Sequence, residues 1–171
     1  MFGQKYYRDF QDITTTFYHQ AFSRKPELMG WGYQWSTNKH GKERNTDTDF
    51  SFTNYREADT RLAEYDRIGS KVDFILKQLP EEEKAGFYQL LYYPVKGCEF
   101  LNKMILYGQK NRWYALQKRA ATNSISEEVK VYYDSLQIIT QGYNSLLNGK
   151  WNPVMTCLLY TSPSPRDKRQ S

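Results

Sequence analysis

The chain has 171 residues, 39% of them hydrophobic and 25% charged, and carries a formal net charge of +5. That length suffices for one domain with a real core. No apolar run approaches the roughly 20 residues of a membrane helix, and the charge is too mild and scattered for a nucleic-acid face.

The last segment stands apart. Cys157 to Asp167 reads CLLYTSPSPRD, the codon-by-codon translation of a common transposase sequencing adapter. Residues 157–171 are therefore expected to be a disordered artefactual tail, and the natural chain to run on past Thr156. Without Arg166, Lys168 and Arg169 against Asp167, the charge falls to +3. Cys157 leaves with the tail, so Cys98 can form no internal disulfide.

Residues 1–156 read as one helical domain. Tyr6, Phe10, Ile13 and Phe17 form one apolar stripe, predicting a first helix over roughly Gln4 to Phe22. Lys25-Pro26 ends it, because a residue before proline avoids helical geometry. A long polar loop follows at about 27–53, rich in Gly, Asn and Ser/Thr/Asp. Loops of this length are usually functional or family-specific insertions. Asn54-x-x-Glu57 reads as a capping box for a second helix. Its seam is Ala58, Leu62, Tyr65, Gly69, Val72, Leu76 and Leu79, with Gly69 admitting a close neighbour. Pro80 and three glutamates open a third helix, since proline and acids suit the first turn. Pro94 kinks it or divides it in two.

A fourth helical segment is expected from Pro94 to about Arg119, with an apolar face of Leu101, Met104/Ile105, Gly108, Trp113 and Leu116. Ser124-x-x-Glu127 reads as the cap of a fifth helix. Its stripe is Val129, Tyr132, Leu136, Ile139, Tyr143 and Leu146, and Asn148-Gly149 ends it with a left-handed glycine. No segment alternates at period two. The expected fold is all-α: an antiparallel helical bundle of about four to five helices with one long polar loop.

The chemistry-bearing residues are sparse. His19 and His40 lack ligand spacing with each other and with Cys98, so no metal is expected. Asp47-Thr-Asp49 starts like a calcium loop, but Phe52 and Ala58 stand where Gly and Glu are required. It reads as a solvated loop. Glu81, Glu82 and Glu83 point around a helix and serve its dipole. Cys98 reads as a small packing residue. Trp31, Tyr33 and Trp35 would form either a sugar-stacking platform or a clamp on the bundle. The sharpest cluster is Lys110-Asn111-Arg112-Trp113-Tyr114, with Arg119 seven residues beyond Arg112 on one helix face. Paired guanidinium groups suit a carboxylate. A structural ion-pair network with Glu99, Glu127 or Glu128 is the competing explanation.

Arg24-Lys25-Pro26-Glu27, Asn54-Tyr55-Arg56-Glu57-Ala58, Leu79-Pro80-Glu81-Glu82 and Tyr93-Pro94-Val95-Lys96 occur in that order. Leu101-Asn102, Lys110-Asn111-Arg112-x-Tyr114-Ala115-x-Gln117-x-Arg119-Ala120-x-x-Asn123 and Gly149-Lys150-Trp151-Asn152 follow. Together these motifs resemble glycoside hydrolase family 115, the xylan α-1,2-glucuronidases, over nearly all of residues 2–155. Three features depart from the family pattern. Lys118 stands where Gly is expected, Pro153-Val154 replace His-Met, and the Trp31–Asp49 loop is expanded.

The resemblance implies a helical accessory domain of a periplasmic or extracellular multidomain enzyme. That enzyme would remove glucuronic or 4-O-methylglucuronic acid branches from xylan with inversion. Inverting chemistry uses two spaced carboxylates, which the resemblance places in a barrel domain of the parent chain. No catalytic residue and no cofactor is therefore assigned here, and the fragment alone is predicted inactive. Lys110, Asn111, Arg112, Tyr114, Arg119 and Trp151 are the substrate or interface candidates. The implied partners are the barrel domain, glucuronoxylan and a second copy in a homo-oligomer, with no nucleic acid and no membrane. The alternative is a stand-alone helical interaction module binding an acidic partner through Lys110, Arg112 and Arg119.

Overall fold

The computed structural model describes residues 4–29 and 47–156, and every element within them is helical. A 3-10 turn at Gln4–Tyr6 leads into α1 (Tyr7–Ser23). Helix α2 spans Glu57–Gln78, α3 Glu81–Phe87, α4 Tyr93–Leu116 and α5 Thr122–Gly149. The Trp31, Tyr33 and Trp35 platform, His40 and the 157–171 tail lie outside the described residues.

Cross-helix pairs fix the directions. Asp12 meets Lys71, Thr16 meets Arg67 and Gln20 meets Arg61, so α1 and α2 run antiparallel. Lys96 pairs with Asp73, and Arg61 with Asn102, which sets α4 antiparallel to α2. Tyr93 packs on Tyr143, and Tyr107 on Tyr132, which sets α5 antiparallel to α4. Helices α1 and α5 thus form the flanks, each packed chiefly on one neighbour.

The flanking helices follow their predicted stripes. Tyr6 and Ile13 are buried in the main core, with Phe10 and Phe17 packed against it. Ile125, Ile139 and Tyr143 are the buried residues of α5. The central helices do not follow theirs. Besides its expected seam, α2 buries Arg61, Ile68 and Ile75, because it is covered on two sides. The buried face of α4 is Val95, Lys96, Glu99, Asn102 and Leu106, not the expected Leu101-to-Leu116 stripe, and Leu116 is 85% exposed.

A polar seam therefore runs through the interior. Glu99, 3% exposed, lies 2.7 Å from Lys96 Nζ and accepts a 2.6 Å bond from Lys103. Lys96 also reaches Asp73, and Lys103 also pairs with Asp66. The close neighbour expected at Gly69 is this Glu99 carboxylate.

The joints have local causes. A proline clashes with the carbonyl four residues back. Ahead of Pro94 the helix widens into a π turn at Tyr88–Tyr92, where Tyr93 N–H bonds Tyr88 O, five residues back. Neither expected capping box forms. Helix α2 instead starts after Tyr55 and Arg56, both left-handed; Ala58 N–H bonds Ser51 O, and Ser51 N–H bonds the Glu57 carboxylate. The chain at Ser51 thus folds back onto the helix start and satisfies one of its free amides, that of Ala58. Ser124 bonds Ala121 O, inside a helix that already begins at Thr122. Helix α5 loses helical geometry at Leu146, ahead of the expected Asn148-Gly149 stop. Leu147 and Asn148 share the left-handed conformation with Gly149.

Helix α4 ends at Leu116, short of Arg119. Lys118 takes φ +54, Lys118 N–H bonds Ala115 O, and Arg119 N–H bonds Tyr114 O. These two bonds make a Schellman motif, with Lys118 in the position that glycine usually fills. Lys118→Gly is therefore expected to raise stability by about 1 kcal/mol, seen as a higher melting temperature. A lower one would mean that the lysine side chain holds something in place.

Buried and half-buried phenols give the domain an alkaline limit. Burial, with Tyr93 nearby, pushes Tyr88 up to about 12. Burial likewise pushes Tyr65 and Tyr92 well above their ordinary range. Unfolded tyrosine ionises near pH 10. Below that, both states keep the proton. Between about 10 and 12 only the unfolded chain releases it, so stability falls as pH rises through that window. Denaturant midpoints that stay level to pH 12 would contradict this.

Candidate functional site

Tyr107, Lys110 and Tyr114 recur at helical spacing and so share one face of α4. Lys110 Nζ lies 5.6 Å from the Tyr107 ring centroid, 5.7 Å from Tyr114 and 5.9 Å from Phe52. Phe52 stacks on Trp113 at 6.4 Å. Arg119 covers the same Tyr114 ring, with its Cζ 4.4 Å from the centroid, and lies 5.7 Å from Trp113. One tyrosine ring thus lies close to both an ammonium and a guanidinium. Burial pushes the Tyr107 phenol up, with Tyr132 adding to the effect, so Tyr107 contributes as a neutral ring.

Arg112 is engaged elsewhere. Its Nε donates to Asp47 Oδ1 at 2.8 Å, and its terminal nitrogen pairs with the same oxygen. The structural explanation for this arginine holds, with a different acid. Glu99 and Glu127 are paired with lysines instead. Asp47 and Thr48 are also not a solvated loop. Thr48 is 7% exposed, and both its N–H and hydroxyl donate to Gln109 Oε1, while Gln109 Nε2 returns a bond to Thr48 O. Gln109 and Arg112 clamp residues 47–48 onto α4.

Of the predicted candidates, the structure brings together Lys110, Tyr114 and Arg119. Arg112 and Arg119 do not share a helix face, because α4 ends between them. Asn111 turns its Oδ1 inward, buried and, among the described residues, without a hydrogen-bond partner. Trp151 follows the end of α5, at the opposite end of the bundle, where Leu146–Asn148 line a groove with Lys77 and Lys84. Its indole N–H is buried and has no partner among the described residues, and Lys150 covers its ring at 5.1 Å.

Phe52 and Tyr107 were not among the sequence candidates. The spacing of Tyr107, Lys110 and Tyr114 could have found the tyrosine; nothing in the sequence announces that Phe52 folds back onto Trp113.

Among the described residues, no group of three or more His, Cys, Asp or Glu could hold a metal ion, and no helix is long and apolar enough to cross a membrane. Among the described residues, two grooves occur elsewhere; Asp9 pairs with Lys71 in one and Glu81 with Lys84 in the other, which Lys77 also lines. The arrangement at the end of α4 holds two cations against aromatic rings, which suits it to an anion. No family model matches the chain, and no curated protein matches it.

Proposed function

We propose that this chain is the helical accessory domain of an inverting glycoside hydrolase of family 115, an α-glucuronidase. The parent enzyme removes glucuronic or 4-O-methylglucuronic acid branches from xylan, in the periplasm or outside the cell. The domain braces the barrel that carries the paired carboxylates and has no activity alone.

The observation that carries this reading is where the family-like motifs fall in the fold. Leu79-Pro80 makes the α2–α3 turn, and Tyr93-Pro94 follows the π turn. Asn102 is the fully buried acceptor for Arg61, 2.6 Å from its Nε. Lys118, where the resemblance expects glycine, has the left-handed backbone that favours glycine. Motifs concentrated at joints and in the core suit a scaffold more than a reaction centre. The outer face of α1 adds support. Tyr7, Tyr18 and Phe22 form an exposed aromatic row there, and Phe22 is 92% exposed. Such a row suits a face packed against another domain or a second copy.

The test is a pair of assays on glucuronoxylan. The gene product that includes the upstream barrel should release the uronic acid, and this chain alone should release none. A parent reading frame without a barrel would overturn the assignment, as would release by the isolated chain.

A further inference from the structure

We propose that Asn148 is a site of covalent self-modification, where the backbone nitrogen of Gly149 converts the side-chain amide to aspartate and isoaspartate. The inference stands apart from the α-glucuronidase reading, because it rests only on the end of α5 and the groove beside it.

The first observation is the neighbour. Among all the asparagines of the chain, Asn148 alone is followed by glycine. Glycine carries no side chain to obstruct the approach of its own nitrogen to the preceding carboxamide. The second observation is the backbone. A regular helix locks the chain on both sides of an asparagine. Here helical geometry ends at Leu146, and Leu147, Asn148 and Gly149 take left-handed φ values of +50, +58 and +79. Residues other than glycine are disfavoured there, so the rotation that ring closure needs releases strain. Asn148 is exposed, and among the described residues its side chain makes no hydrogen bond. Other asparagines differ. Asn144 Oδ1 accepts the Met155 N–H at 3.2 Å, Asn102 is fully buried, and Asn152 precedes Pro153, whose nitrogen has no hydrogen to lose.

The third observation is the groove. Asn148 lines it together with Lys77 and Lys84. Lys84 is paired with Glu81, whereas Lys77 has no acidic partner among the described residues. Positive charge favours both the anionic nitrogen that attacks and the carboxylate that results.

The step balances without an oxidant or reductant. Hydroxide removes the Gly149 amide proton, and the nitrogen attacks Asn148 Cγ. The new C–N bond closes a five-membered succinimide, the Cγ–Nδ2 bond breaks, and ammonia leaves. Water then opens the ring. Attack at Cγ gives aspartate; attack at the main-chain carbonyl gives isoaspartate, with the backbone rerouted through the side chain. Either product places a second acid in the groove with the two lysines.

The test incubates the folded 171-residue chain at neutral and at mildly alkaline pH. Trypsin then releases the peptide Val131–Lys150, whose fragments are read by mass spectrometry with electron-transfer cleavage to identify isoaspartate. Both products should accumulate at Asn148, faster at the higher pH, while Asn144 in the same peptide stays intact. A more acidic form of the chain should appear on ion exchange. Asn148→Gln should lose both products, and circular dichroism checks that it folds. Lys77→Met should slow the conversion about two- to fivefold, the scale of one exposed opposite charge. An unchanged rate in that variant would overturn the role given to the groove. Conversion in urea but not in the folded chain would overturn the site, because the fold would then protect Asn148. Equal conversion at Asn144 would overturn the argument from local geometry.

Discussion

Arg61→Ala is expected to destabilise the domain by about 3–5 kcal/mol, the scale for removing one partner from a buried charged network. Arg61 is 3% exposed. Its Nε donates to Asn102 Oδ1 at 2.6 Å. One terminal nitrogen reaches Gln20 O at 3.0 Å, Gln20 Oε1 at 2.9 Å and Ser23 Oγ at 2.8 Å, and the other reaches Arg24 O at 3.1 Å. Among the described residues no carboxylate faces it; the charge is held by the carbonyl end of α1, where a cation is favoured, and by the Phe50 and Tyr65 rings at 4.8 and 5.4 Å. Burial pulls the guanidinium below its ordinary value, but arginine stays charged at any working pH.

Truncating it strands the buried acceptors Asn102 Oδ1 and Gln20 Oε1, at about 1–3 kcal/mol for each fully orphaned group before relaxation. Arg61→Met refills most of the volume but supplies no donor, so it should recover only the packing part. Helix α1 packs chiefly on α2, so its C-terminal turns should loosen first. Urea midpoints measure the loss, and hydrogen exchange at residues 13–24 locates it. A change below about 1 kcal/mol, the net worth of a single ordinary hydrogen bond, would show that the guanidinium is not the bolt described here.

The same residue explains what the sequence could and could not reveal. Helices α1 and α5 lie at the flanks and bury one face each, so a single apolar stripe describes them, and both stripes were legible. Helices α2 and α4 are central. Their shared face is built from Arg61, Lys96, Glu99 and Asn102, residues whose types argue for solvent. Lys96, Glu99 and Lys103 even carry the spacing of an exposed ion-pair face. Only partners remote in sequence, Gln20, Asp66 and Asp73, make that face buriable. The candidate site was legible in the same partial way. Lys110, Tyr114 and Arg119 could be singled out as basic and aromatic. That Arg112 is neutralised by Asp47 depends on a segment 65 positions away. The shared face expected for Arg112 and Arg119 failed because Lys118 adopts a backbone its residue type rarely takes.

Gly69 and Glu99 give the second large effect, and the two should not behave additively. In an ordinary helix interior, Gly→Ala gains about 0.5–1 kcal/mol. At Gly69 the added methyl would land on the Glu99 carboxylate, 2.9 Å from Cδ and closer still to Oε2, and 3.4 Å from Lys96 Nζ. The carboxylate is the end of a flexible side chain, but it is buried and tied to Lys96 and Lys103. Burial alone would lower the Lys103 pKa; the hydrogen bonds to Asp66 and Glu99 more than reverse that and hold it raised. Displacing Glu99 breaks this arrangement, so Gly69→Ala is expected to cost about 2–3 kcal/mol, the penalty of a strained buried pair less the gain in helix propensity. Glu99→Ala alone leaves Lys96 buried without its nearest acid and is expected to cost about 3–5 kcal/mol. In that background nothing opposes the methyl, so Gly69→Ala should become neutral or stabilising by up to about 1 kcal/mol. The double-mutant cycle should therefore return a coupling near 3 kcal/mol, at the upper end for residues in contact. Single costs that add within about 0.5 kcal/mol would mean the two positions do not touch, and would remove the close α2–α4 contact from the fold.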